Sequence, residues 1–286
     1  MCAKIISLIN KKGGVAKTSS TGALASICAA VGLKVLCVDL DPQCNITELL
    51  TQESNHEFNV GTLMMMDEQL LEDKAYQYVQ KTKYENIDII AGNEDLDIIG
   101  EKMILKYAAV NSIGQLDMPI NAQTKLTTIF NVLQNDYDLI LIDNTPYFNI
   151  ITKNGLSASN GVLIPIETDG YSYRGLTKLL KKIIEVKSQV NEKLDIIGIF
   201  ITRANPRTTV FKNLFEAFKD ELGDKLLNTY IRQDNKVKES NTTFIPLYNY
   251  APKAMATRDY ANLVLEIGLL DKEAENQLRE IIGEEE

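Results

Sequence analysis

A chain of 286 residues, 45% hydrophobic and 24% charged, has the balance of a folded globular protein and the length for a large buried core. No apolar run reaches the roughly 18 residues of a membrane helix, and the N-terminal apolar stretch is too short for a secretion signal. The net charge of −9 speaks against nucleic acid as a partner, but it is an average: residues 170–260 hold 16 Lys and Arg against 10 Asp and Glu, while residues 266–286 hold eight acids against two bases. A DNA-facing surface in the C-terminal half therefore stays open, followed by an acidic tail over 268–286. The four cysteines (Cys2, Cys28, Cys37, Cys44) lack the paired spacing of a zinc site and read as free thiols in a reducing cytoplasm. The single histidine, His56, reads as solvated.

In chain order, a strand is predicted over 4–10, a glycine-containing loop, and a helix over 17–31 stopped by Gly32. A strand over 34–40 ends among the acids Asp39 and Asp41. Apolar runs of strand length follow at 87–91, 139–143, 161–166, 196–202 and 226–231. Between them lie helix-period segments at 122–134, 173–190, 208–222 and 255–267. Short apolar strands alternating with helices predict an α/β fold, a mostly parallel twisted sheet with helices on both faces, with functional loops at the C-terminal strand ends. No linker divides the chain, so residues 1–286 read as a single domain, with 51–123 as a possible helical excursion. Met64, Met65 and Met66 read as core filler.

The loop after the first strand reads Asn10-Lys11-Lys12-Gly13-Gly14-Val15-Ala16-Lys17-Thr18. Glycines let successive N–H groups converge on phosphate oxygens, and the following helix N-terminus adds partial positive charge. Lys17 is placed to reach the β- and γ-phosphates of a nucleotide, and the Thr18 hydroxyl to ligate Mg²⁺. The standard phosphate loop needs Gly where Lys11 and Ala16 stand; the sequence fits K-G-G-x-x-K-[ST] instead. A lysine-rich turn before a helix is the competing reading. At 137–143 an apolar strand ends in Asp143, an acid suited to hold Mg²⁺ directly or through water. Asp39 and Asp41, in Val38-Asp39-Leu40-Asp41-Pro42-Gln43, are either two solvated acids or carboxylates beside a γ-phosphate, where one can accept a proton from water.

K-G-G-x-x-K-[ST] resembles the deviant Walker A signature of the ParA/MinD superfamily of P-loop ATPases, and the chain as a whole resembles its ParA/Soj-type partition members. The resemblance implies that Lys12, Gly13, Gly14, Val15, Ala16, Lys17, Thr18 and Ser19 bind ATP or ADP, and that Lys12 reaches the nucleotide of a partner copy in a homodimer formed on ATP. Catalysis would then rest on Lys12, Lys17 and Asp41. Ala16 replaces the family's usual glycine, and nucleotide binding is expected to survive on the condition of a negative φ there. By the same resemblance Asp39 organises the Mg²⁺ shell with Thr18 and Asp143, and Asp41 positions or activates the attacking water. Against the family's D-x-P-P, Asp143 and Pro146 match while Asn144 and Thr145 depart. Val162-Leu163-Ile164-Pro165-Ile166 and the turn Tyr173-Arg174-Gly175-Leu176 resemble family segments. So does the spacing of Glu239, Ser240, Pro246, Tyr250 and Pro252. Arg203 and Arg232 would lie near the adenine.

The acidic tail is unlike the basic membrane helix of MinD-type relatives, so no membrane partner is expected. The cysteine ligands of cluster-binding relatives and a C-terminal tyrosine cluster are also missing. A partition ATPase remains, which by resemblance binds DNA non-specifically as the ATP dimer, is stimulated by a ParB-like centromere-binding protein, and works on the nucleoid in the cytoplasm of a bacterium, chromosomally or plasmid encoded. Lys178, Lys181, Lys182, Arg207, Lys212, Lys236, Lys238 and Lys253 are candidate phosphate contacts. With the phosphate loop on the first strand, an N-terminal helix-turn-helix and operator binding are not expected. Two other readings stand beside this one: a nucleotide-gated regulatory module with little hydrolysis, and a ligase or amidotransferase-like relative.

Overall fold

Apolar runs too short and too uniform for amphipathic helices are satisfied by strands buried on both faces, and seven strands form one sheet. They are β1 (Lys4–Leu8), β2 (Val35–Leu40), β3 (Gln80–Lys81), β4 (Ile87–Ile90), β5 (Leu139–Asn144), β6 (Gly161–Ile166) and β7 (Asp195–Ile201). The computed structural model describes residues 2–110, 120–168 and 172–283. The order is β3-β4-β2-β5-β1-β6-β7, parallel throughout except for the short edge strand β3, which runs antiparallel to β4. Every residue of β2, β5 and β6 is buried. From β1 the chain runs to β2 and β4 on one side, returns as β5 between β2 and β1, and crosses to β6 and β7 on the other side, so β1 lies beside the crevice where a doubly wound sheet opens at its C-terminal edge.

One face of the sheet is covered by the helices Lys17–Ala30, Met255–Glu266 and Lys272–Ile282, which bring Leu24, Ile27, Tyr260, Leu263 and Leu278 into one core. The other face is covered by Leu96–Val110, Lys125–Leu133 and Ile150–Ala158. A third cluster packs Ser172–Gln189 and Thr209–Leu222 against β6 and β7. Met64 is buried in the second core, with Met65 and Met66 packed against it. No described helix is long and apolar enough to cross a membrane.

The expectations for residues 226–231 and for His56 are corrected. Residues 226–231 form no strand: single bridges join Leu226 to Ile199 and Arg232 to Ala204. The reason is that the Asn228 and Thr229 N–H groups donate to the Glu266 carboxylate, at 2.7 and 2.8 Å, and so are withdrawn from any ladder. Residues 51–123 supply the short strand β3 and the expected β4 beside helices such as Val60–Met65; residues 111–119 lie outside the described residues. The acidic tail is largely the helix Lys272–Ile282, capped by Asp271, which accepts from the Ala274 N–H. It buries Ala274, Leu278 and Ile282 while Glu273 and Glu280 face solvent; residues 284–286 lie outside the described residues. His56 is half-buried, its Nε2 3.2 Å from the Thr51 hydroxyl. Of the cysteines, all free, Cys28, Cys37 and Cys44 are buried and Cys2 is exposed.

Candidate nucleotide site

The loop leaving β1 is fastened at its start. Asn10 donates from Nδ2 to the Pro165 carbonyl at 2.7 Å, and its Oδ1 accepts the Lys12 N–H at 3.0 Å. Gly14 has φ 80°, which only glycine adopts without strain, and a side chain at Gly13 or Gly14 would project into open space. Ala16, the residue before the helix Lys17–Ala30, has φ 65° and ψ 31°. The condition of a negative φ at Ala16 is therefore not met: the position has the left-handed backbone that explains a glycine there. A left-handed non-glycine costs about 1–2 kcal/mol, and glycine returns part of that through its looser unfolded chain. Ala16→Gly is expected to raise unfolding stability by roughly 0.5–1 kcal/mol, read from urea midpoints; a loss of stability would contradict this backbone geometry.

The parallel register sets the acids side by side. Asp39 on β2 and Asp143 on β5 are register partners, and Asp143 also pairs with Leu8 on β1, just before the phosphate loop. Thr18, in the first turn of the helix, donates from Oγ1 to Asp143 Oδ2 at 2.6 Å. Asp143 Oδ1 is buried with no hydrogen-bond partner among the described residues. Asp39 is differently engaged: Oδ1 accepts the Asp41 N–H, and Oδ2 accepts the Thr47 N–H and hydroxyl. Asp41 Oδ1 accepts the Gln43 N–H at 3.0 Å, and the residue lines the main cleft.

Burial dominates the electrostatics here. It pushes Asp143 up to about 8, aided by the neighbouring Asp39 and opposed by Thr18 and Lys17. It pushes Asp39 up to about 7 despite the bonds from Thr47 and Asp41. Burial also lowers Lys17, against the pull of Asp143 and Asp41. The site is thus a desolvated pocket with one buried lysine, three carboxylates and an unsatisfied oxygen, an arrangement that a hard cation would complete.

Lys17, Thr18 and Asp41 line a cleft of about 590 Å³ together with Gly13, Gly14 and Thr145, among others, while Asp39 and Asp143 lie buried behind it. A second hollow of about 540 Å³ shares Ala16, Ser19, Arg203 and Asn241 with it. Arg203 and Arg232 both line the second hollow, though neither guanidinium is free. Arg203 donates to Glu167 at 2.9 Å, and Arg232 is held by Asp259 through Nε and Nη2, with 2.6 Å at the shortest. Lys12 also pairs with Glu167. Glu239 accepts from Lys236 and Tyr250, and Ser240 donates to the Ile245 carbonyl, so that spaced motif braces its own loop.

The eight candidate DNA contacts are not gathered into one site. Lys178, Lys181 and Lys182 lie on Ser172–Gln189, Lys212 on Thr209–Leu222, Lys236 and Lys238 on Asn235–Thr242, and Arg207 and Lys253 in loops. Lys182 pairs with Glu185 and Lys236 with Glu239, while the other six are exposed without an ion pair among the described residues. Of the turn at 173–176, the side chains of Tyr173 and Arg174 lie outside the description. Sequence reasoning missed Glu167, Asn241 (which donates to the Ser19 hydroxyl at 2.7 Å) and Asp259. Glu167 had a usable signal, since it directly follows the apolar run 161–166 as Asp143 ends its own; Asn241 and Asp259 had none.

A family profile described as an AAA domain matches residues 3–196. The chromosome-partitioning ATPase Soj of Treponema pallidum is 32% identical over 92% of this chain and 96% of its own length. The sporulation initiation inhibitor protein Soj of Bacillus subtilis is 28% identical over 92% and 98%. Among solved structures, a putative plasmid partition protein from Borrelia burgdorferi bound to AMPPNP superposes with a TM-score of 0.70 at 24% identity, covering 93% of this chain and 98% of that one. Cobyrinic acid a,c-diamide synthase from Mycobacterium smegmatis, with a bound ATP analog and magnesium, gives 0.75 at 22% identity, covering 92% and 94%. At these identities the superpositions speak for the fold. Fold and loop together define a P-loop ATPase of the ParA/MinD type. Within that class, the chain belongs to the Soj/ParA family of partitioning ATPases.

Proposed function

We propose that the chain is a DNA-partition ATPase that binds ATP with Mg²⁺, pairs with a second copy on doing so, and binds DNA non-specifically in the paired state. A ParB-like centromere-binding protein would stimulate its hydrolysis, and its place of work would be the nucleoid in the cytoplasm. The observation that carries this reading is the unsatisfied buried Asp143 Oδ1 beside the Thr18 hydroxyl at the mouth of the phosphate loop. Bound there, Mg²⁺ would neutralise phosphate charge, with Thr18 and Asp143 as its holders and Asp39 acting through the loop it pins. Lys17 would hold the β- and γ-phosphates, and the loop N–H groups from Gly13 to Ser19 would orient them. Asp41 would accept the proton of the attacking water. Lys12 would supply positive charge in trans, making hydrolysis depend on assembly.

The regulatory-module reading draws on one observation. Asn144, one of the two residues that depart from the family pattern after Asp143, donates from Nδ2 to the Leu8 carbonyl at 3.1 Å, and its buried Oδ1 has no partner among the described residues. That anchors the segment after Asp143 to β1 and favours holding nucleotide over turning it over.

The test is binding of the purified chain to random-sequence duplex DNA by fluorescence anisotropy, with ATP or ADP, at low and high salt. The expected result is binding that needs ATP, weakens steeply with salt as phosphate contacts release counterions, and is lost in Lys12→Ala. Absence of DNA binding in every nucleotide state, with ATP binding intact, would overturn the partition reading in favour of the regulatory one.

A further inference from the structure

β6 ends at Ile166, and the next residue places a carboxylate between two cations. Glu167 Oε2 accepts from Lys12 Nζ at 2.5 Å and Oε1 from Arg203 Nη1 at 2.9 Å, one oxygen to each. Its side chain is 18% exposed, against 40% for Lys12 and 59% for Arg203, so the acid sits deeper than its partners. The backbones on either side are already joined. Asn10 ties the Lys12 N–H to the Pro165 carbonyl, two residues before Glu167, so the two backbones are held within reach of each other before the ion pair forms. Arg203 is held at φ 53°, a left-handed backbone uncommon for a residue of its size, and it lines both clefts.

From this geometry we infer that Glu167 is a positioning residue, a latch that holds Lys12 against its own subunit in the unpaired chain and sets how readily two copies assemble. The inference rests on the proposed ATP-dependent pairing. While its ammonium sits on Glu167, Lys12 is directed toward the end of β6 and cannot reach a nucleotide held by another copy. Sharing the carboxylate makes the latch releasable. When Lys12 leaves, Arg203 still neutralises Glu167, so no half-buried carboxylate is stranded without a counter-charge, which is the step that makes most such pairs hard to break. Lys12 then exchanges Glu167 for another anionic partner, and breaking this contact costs assembly the worth of a half-exposed ion pair.

The experiment is the dimerisation constant by sedimentation equilibrium with Mg²⁺ and AMPPNP for wild type, Glu167→Gln and Glu167→Asp, with circular dichroism as the folding control. Glu167→Gln is expected to dimerise at about fivefold lower protein concentration, the upper end of what a partly exposed pair is worth. Glu167→Asp keeps the charge on an arm one methylene shorter and falls between the two. Raising the salt narrows the gap between wild type and Glu167→Gln, because only wild type has a latch to screen; a purely structural role would leave that gap unchanged. If Glu167→Gln does not fold, the Glu167→Asp shift carries the same test. Dimerisation equal to or weaker than wild type in the folded variants overturns the latch while leaving the pairing itself in place. No dimer in wild type or in either variant overturns the pairing and the latch together.

Discussion

Replacing Asp41 by Asn is expected to leave ATP binding in place and to lower ATP turnover by a factor of roughly 10²–10⁴, the usual worth of a positioned general base. The isosteric change is chosen for its local chemistry. Asp41 Oδ1 accepts the Gln43 N–H, and its own N–H donates to Asp39 Oδ1. An asparagine keeps both bonds, so the loop after β2 holds its shape while the proton acceptor is gone. Asp41→Ala would lose the Gln43 bond as well and confound loop order with chemistry. The measurement is phosphate release under saturating Mg²⁺–ATP, beside the affinity for a fluorescent ATP analogue. Turnover close to wild type in Asp41→Asn would remove Asp41 from the chemistry. Negligible turnover in wild type itself would favour the regulatory reading and the anchored Asn144.

The second large effect concerns stability. In the unfolded chain an aspartate ionises near 3.8, whereas in the fold burial carries Asp39 to about 7 and Asp143 to about 8. Between those values the folded chain binds protons more tightly than the unfolded one. The stability these two groups contribute is therefore fully present below about 3.8 and is lost as pH rises through 7 and 8. Asp143→Asn removes the larger of the two shifts while keeping an oxygen for the Thr18 hydroxyl. It is expected to raise the melting temperature of the nucleotide-free protein at pH 8.5, by a gain on the order of 1–3 kcal/mol, which is a few degrees in a chain of this size. At pH 5, only about one unit above the unfolded value, the folded carboxyl is still protonated and little of its contribution has been lost, so the advantage shrinks. The same variant should lose the further stabilisation that Mg²⁺ adds to bound ATP, since an amide is a poor partner for a hard cation. Thermal scans at the two pH values, with and without Mg²⁺–ATP, check both parts. A lower melting temperature at pH 8.5, or a Mg²⁺ effect equal to wild type, would mean that Asp143 is not a strained acid awaiting a cation. Such a trade of stability for function is common where a site concentrates like charges in a dry pocket.

The sequence by itself determined the class of fold, because six of the seven strands are apolar runs of strand length that alternate with helix-period segments. It also determined the phosphate loop, Lys17, Thr18 and the acids Asp39, Asp41 and Asp143, because all of these lie within a few residues of a strand end and local spacing is enough to find them. Tertiary structure decided what depends on partners distant in the chain. The apolar run 226–231 looks like a strand, but Glu266, some 40 residues away, takes the N–H groups a ladder would use. Arg203 and Arg232 look alike as basic residues after late apolar runs, yet one shares Glu167 with Lys12 and the other is clamped by Asp259. The backbone at Ala16 is left-handed because the turn from β1 into the helix requires it, whatever side chain the position carries. An aspartate at a strand end is visible in one dimension. Whether it is pinned like Asp39 or left with an unsatisfied oxygen like Asp143 is set by which donors the fold brings to it, because hydrogen bonds and desolvation act through space and not along the chain.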